Sequence, residues 1–190
     1  MGGEPLVALD LADTVMTATS PPTDLIGEPE RAGAWWRLQA TRLPESRPPD
    51  LGATRQLRAA LRDLFDAYLE GRDPNPISID DLNAVAASVP TSPRLLPLSP
   101  PRRETRWHTE HGGNPALAAT AAGAIDLLAD ESRLSTLRRC ANEGCSMLFL
   151  ASNPRRVWCT ANICGNRARV ARHYARTHRD DHAPQHLRRA

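Results

Sequence analysis

The chain contains no lysine: all 24 of its basic side chains are arginine. A GC-rich codon bias is the simplest source of that choice, but it has a chemical consequence. Every cation is a planar fork able to grip a phosphate or a guanine edge with two bonds. Cysteine is absent from residues 1–139, so no disulfide or thiolate-bound metal can brace that part. No apolar run approaches the roughly 18 residues of a membrane span. Met1 to Leu11 carries acids and no arginine, unlike a secretion signal, and a cytoplasmic protein is expected. There is no Gly-rich phosphate loop and no G-x-S-x-G. The adjacent pairs Asp80-Asp81 and Asp180-Asp181 suit caps and solvent better than acid–base work, so an enzyme is not expected. What is present is 41% apolar residues in 190, enough for an ordinary core in one domain plus a small module, or two small domains.

Charge is divided along the chain. Residues 1–130 hold 12 arginines against 18 acids, and residues 131–190 hold 12 against 4, so −6 and +8 make the net +2. A basic C-terminal third on an acidic body is the footprint of a nucleic-acid module attached to something else.

All four cysteines lie in the basic third: Cys140, Cys145, Cys159 and Cys164, spaced C-x4-C-x13-C-x4-C. Two close pairs in a reduced compartment read as a tetrahedral zinc site rather than disulfides. The usual knuckle is C-x2-C, so x4 implies wider loops, and four thiolates also suit an iron–sulfur cluster. Four thiolates close zinc's coordination shell and leave no position for an activated water, so the Zn2+ is expected to be structural. Ser146 to Trp158 has few large apolar residues, and folding there should depend on metal.

After Cys164 the sequence CGNRARVARHYARTHR has helical periodicity. Arg169, Arg172, Arg176 and Arg179 form one basic stripe, while Val170 and Tyr174 are expected to pack back onto the module. Arg155 and Arg156, in a turn marked by Asn153-Pro154, offer a second phosphate contact. Arg167 is equally suited to DNA or to bracing a loop inside the module. The stripe meets no acid before Asp180, and a polyanionic partner would relieve its self-repulsion. Few aromatics flank it, so DNA is expected before RNA.

The first 130 residues read as mainly helical. Leu6 to Met16 is a candidate strand, with Asp10, Asp13 and Thr14 placed to cap a turn or to line a pocket, the turn being the simpler reading. A short helix follows Pro29, with Trp35 and Trp36 as core and half-exposed edge. The clearest helix spans Thr54 to Glu70, ended by Gly71, and another starts at Ser78 as N-cap with Ile79, Leu82, Val85 and Val89 inward. Leu95–Leu98 and Thr105–Thr109 are candidate hairpin strands. Asn114-Pro115 opens a helix to about Ala129, and a shorter one runs from Ser132 through Leu137 to Cys140.

The motif Cys164-Gly165-Asn166-Arg167, with Arg139-Cys140-Ala141-Asn142, Cys145, Arg156, Trp158-Cys159 and Ala168-Arg169-Val170 around it, resembles the CGNR zinc-finger family. Leu9-Asp10-Leu11-Ala12-Asp13-Thr14 resembles the start of the ABATE domain that usually precedes this finger, with Leu11 where that family favours an aromatic and Asp13 where it favours Asn. The resemblance implies a bacterial, stress-associated transcription regulator. The expected fold is α+β: a mainly helical, ABATE-like acidic domain with a small β-hairpin over 1–131, a four-cysteine zinc module ending in a basic helix over 132–179, and a flexible tail over 180–190. The expected function is DNA binding through that helix, with no membrane association and with the N-terminal domain as candidate homodimer surface. The competing readings are a zinc-stabilised protein-interaction module and a thiolate-based redox or metal sensor.

Overall fold

The computed structural model describes residues 6–180, without the side chains of residues 175 and 177–180. The tail expected over 180–190 therefore lies, past Asp180, outside the described residues. The chain runs α1 (Val7–Ala12), β1 (Val15–Met16), β2 (Thr23–Asp24), α2 (Pro29–Gln39), α3 (Leu51–Glu70), α4 (Pro76–Ala87), β3 (Thr91–Leu96), β4 (Arg102–Trp107), α5 (Pro115–Leu128), α6 (Glu131–Leu134), β5 (Leu137–Arg139), β6 (Leu148–Leu150) and α7 (Asn166–Asp180). The strands form three separate antiparallel pairs, β1 with β2, β3 with β4 and β5 with β6. This is the expected α+β class: a helical body with small hairpins, a four-cysteine cluster and a terminal helix.

Helix α3 is the spine. The Asp50 side chain accepts from the Ala53 N–H at 2.9 Å, and Gly71 ends the helix at φ 64°, a left-handed conformation that costs glycine little. Leu57, Leu61, Leu64 and Phe65 recur at helical spacing and are buried. Helix α5 starts at Asn114, whose side chain accepts from two backbone N–H groups, and presents Ala118, Ala121, Ala124 and Leu127 inward.

Several expectations need correction. Leu6–Met16 is not one strand: its first half is α1, whose six residues are all buried. A short element covered on every side shows no diagnostic period, so its apolar run fits either type. Trp35 and Trp36 are both buried, packed edge to face with ring centroids 4.8 Å apart, and the Trp36 indole N–H donates to Thr54 Oγ1. Helix α4 is capped by Asn75, not Ser78, and its Ile79 is exposed. Pro76 makes Asn75 the better start. Leu137 belongs to β5 rather than to a helix, because α6 stops after Leu134 and the chain turns to pair with β6. The hairpin expected around residues 95–109 is present as β3–β4, in register Arg94 with Glu104 and Ser92 with Arg106.

The four-cysteine module is built onto the body. In the β5–β6 hairpin Leu137 pairs with Leu150 and Arg139 with Leu148. Alternation sends successive side chains to opposite faces. Leu137 and Leu148 accordingly join the main core, while Phe149, fully buried, packs in a second cluster with Cys140 and Cys164.

Candidate metal centre and basic helix

Two local structures bring the cysteines together. Cys140 follows β5, and the Cys145 N–H bonds the Asn142 carbonyl at 2.8 Å while the Asn142 side chain accepts from Gly144, closing a turn between the first two cysteines. The second pair is bridged by a π-helical turn, Ala161–Gly165. Its wider coil absorbs the two residues by which x4 exceeds the common x2. Gly165 packs closely there: a Cβ would come within 3.2 Å of Trp158 Cδ1.

The four sulfurs lie within 4.8 Å of one another, with Cys145–Cys159 at 3.8 Å and Cys159–Cys164 at 3.6 Å. A tetrahedron with arms of about 2.3 Å to sulfur has edges of ~3.8 Å, so this donor set fits a thiolate-bound metal ion. The thiol chemistry agrees. Burial pushes the Cys145 thiol up to about 11, and burial with neighbouring thiols pushes Cys159 further up. Cys140 is opposed by burial, yet backbone N–H groups of Cys159 and Asn142 hold it below the ordinary thiol value. Thiolates this close repel one another, and a cation at their centre is what lets all of them ionise.

Residues 6–131 match a family model described as "Putative stress-induced transcription regulator", the ABATE domain, and residues 136–177 match the CGNR zinc finger. The chain belongs to the ABATE family. Residues 136–177 are its CGNR finger. Among curated proteins, none matches the chain.

The expected basic residues fall into different settings. In the CGNR finger, Arg156 is half-buried: its guanidinium lies 4.5 Å from the Phe149 ring centroid and donates to the carbonyls of Leu150, Trp158 and Cys159. Arg156 thus ties the two halves of the finger together and faces inward. Arg155 is exposed. On α7, Arg167, Arg169, Arg172 and Arg176 are all exposed. Arg169 reaches the Ala161 carbonyl at 3.5 Å and Arg172 the Ala168 carbonyl at 3.3 Å, while the Arg179 side chain lies outside the described residues. Val170 and Tyr174 do not pack back onto the finger. They are 46% and 61% exposed. Arg167 and Arg172 flank an open groove of about 650 Å³ whose wall includes Trp158, Asn142 and Glu143.

Sequence reasoning missed how the ABATE body holds the finger. Asp13, 2% exposed, accepts the Leu148 N–H on both carboxylate oxygens at 3.0 Å. Arg62 of α3 lies 3.5 Å from Asp13, pairs with Asp66 at 2.8 Å and donates to the Ser146 carbonyl at 2.9 Å. Arg139 reaches back to Asp66 and Glu70 at 2.7 and 2.9 Å. The available signal was the match of Leu9–Thr14 to the family's opening motif, which marks these residues without saying what they hold.

Proposed function

We propose that this ABATE-family regulator binds DNA through its CGNR finger, with a structural zinc ion held by Cys140, Cys145, Cys159 and Cys164. The observation that carries the reading is α7: a helix anchored at its start by the cysteine cluster, with Arg169, Arg172 and Arg176 exposed on one side. Five body arginines have another fate, since Arg42, Arg55, Arg58, Arg62 and Arg72 are ion-paired with acids. Exposed forks along one helix face suit the duplex backbone, and the major groove admits a helix. Arg155 adds a phosphate contact beside the finger, and Arg167 reaches the groove wall next to Trp158. Arg156 is a brace for the finger, not a DNA contact. Zinc rather than an iron–sulfur cluster fits a compact four-sulfur centre with tetrahedral edge lengths. No helix among the described residues is long and apolar enough to cross a membrane.

The test is binding of zinc-loaded protein to random-sequence duplex DNA across a salt series, beside a metal-stripped control. Binding should require metal and weaken steeply with salt. R172A/R176A should reduce the slope of log affinity against log salt by about 0.9 for each phosphate that is no longer neutralised. No binding at low salt with zinc present would turn the reading toward an acidic protein partner.

A further inference from the structure

We infer that the β3–β4 ribbon is a second DNA-contacting arm, independent of the finger. The inference rests on the DNA reading above and extends it to a part of the body that the charge of residues 1–130 conceals. Residues 91–107 carry Arg94, Arg102, Arg103 and Arg106 against Glu104 alone, a charge of +3; the rest of 1–130 carries 8 arginines against 17 acids, a charge of −9. The ribbon is a basic stretch on an acidic body; residues 31–47 match its charge, but there Arg42 is ion-paired with Asp10.

Its geometry is that of an arm. All four arginines are exposed, and in both strands only Ser92, Leu96 and Trp107 are partly covered. The base is fixed to the body: the His108 N–H bonds the Pro90 carbonyl at 2.8 Å, the His108 ring bonds Ser92 Oγ at 2.8 Å, and Val89 is buried beneath. Gly113, at φ 80°, closes the base so tightly that a Cβ would lie 2.4 Å from the Ser88 carbonyl. Beyond that base the ribbon runs into solvent.

The register arms one face. Ser92 pairs with Arg106, Arg94 with Glu104 and Leu96 with Arg102, so Arg94, Arg102 and Arg106 share a side with Glu104. Arg103 lies on the other side, beside Leu95, which is 71% exposed. Among the described residues no ion pair engages any of the four arginines. An isolated two-stranded hairpin has marginal stability in water, and exposed arginines without ion pairs add nothing to its folding. A twisted two-stranded ribbon fits the major groove of duplex DNA, and planar guanidinium forks suit the phosphates on its rims.

The test compares the full zinc-loaded chain with R94Q/R102Q/R103Q/R106Q and with R172A/R176A on random-sequence duplex between about 50 and about 200 mM salt. The ribbon variant should keep the parent's melting temperature and metal content. Its salt slope should fall by about 0.9 per phosphate left without its arginine, a total of roughly 2–4, and its deficit should add to that of the α7 variant. If the parent binds DNA and the ribbon variant matches it in affinity and slope, the arm is overturned while the finger reading stands. If the parent does not bind at low salt, both readings fall. Parent binding to phosphatidylserine vesicles that the ribbon variant loses, with DNA affinity unchanged, would also overturn a DNA arm and assign the ribbon to an anionic membrane surface.

Discussion

Replacing Asp13 by alanine should loosen the finger from the body. The carboxylate is 2% exposed and takes the Leu148 N–H at 3.0 Å on both oxygens. Removing it leaves that buried amide without its charged acceptor, at a cost of about 1–3 kcal/mol. Arg62, whose side chain is 12% exposed, also loses a carboxylate at 3.5 Å. It keeps Asp66 and the Ser146 carbonyl, so that change adds only about 1 kcal/mol. The expected total is about 3 kcal/mol, which for a chain of this length lowers the melting temperature by roughly 6–12 °C. D13N keeps one acceptor oxygen in place and should lose about half as much. The assay is thermal unfolding of the zinc-loaded chain, paired with the rate of zinc transfer to a chromogenic chelator. Transfer should accelerate in D13A, because Leu148 sits on the hairpin that carries the first two cysteines. A D13A midpoint within about 2 °C of the parent, with unchanged transfer, would refute the staple.

Three further outcomes follow from the same geometry. R156A should weaken zinc retention, since it removes the Phe149 contact and three carbonyl bonds, yet leave the DNA salt slope unchanged; R155A should do the reverse, as binding curves and chelator competition will show. Apparent metal affinity should rise with pH, because the Cys145 thiol at about 11 and the higher Cys159 thiol must lose protons to bind; competition titrations at several pH values measure it, and a flat profile would contradict thiolate ligation. The Arg58 hydrogen bonds hold Asp24 below its ordinary value of 3.8, so its stabilisation is complete above that pH and is lost as pH falls through the lowered value. D24N should flatten acid unfolding below about pH 4, and an unchanged acid limb would contradict this.

Much of the site was legible along the chain. Cysteine spacing needs no tertiary information, because a thiolate cluster is defined by ligands close in sequence. The long helix read from Thr54 to Glu70, though it starts one turn earlier at Leu51 behind the Asp50 cap, the Asn114-Pro115 start and the presence of a hairpin near residues 95–109, whose strands lie about three residues earlier, were readable for a like reason: caps, turns and periodicity are local. Other features depend on what each segment meets in space. Leu6–Ala12 reads as a strand until the body closes around it. Arg156 and Arg172 look alike in sequence, but one faces a phenylalanine and three carbonyls, and the other faces solvent. Val170 and Tyr174 have the spacing of a buried stripe, but both are exposed.

By itself, then, the sequence determined which four cysteines form the cluster, the basic character of the last helix and the helical nature of the body, since all three follow from residue type at short spacing. Only the tertiary structure decided that the finger shares the body's core through Leu137 and Leu148, that Asp13 and Arg62 fasten it there, and which arginines face solvent. Those outcomes depend on pairing residues as far apart as Asp13 and Leu148, and burial, not composition, sets whether a charge is held inside or offered to a partner.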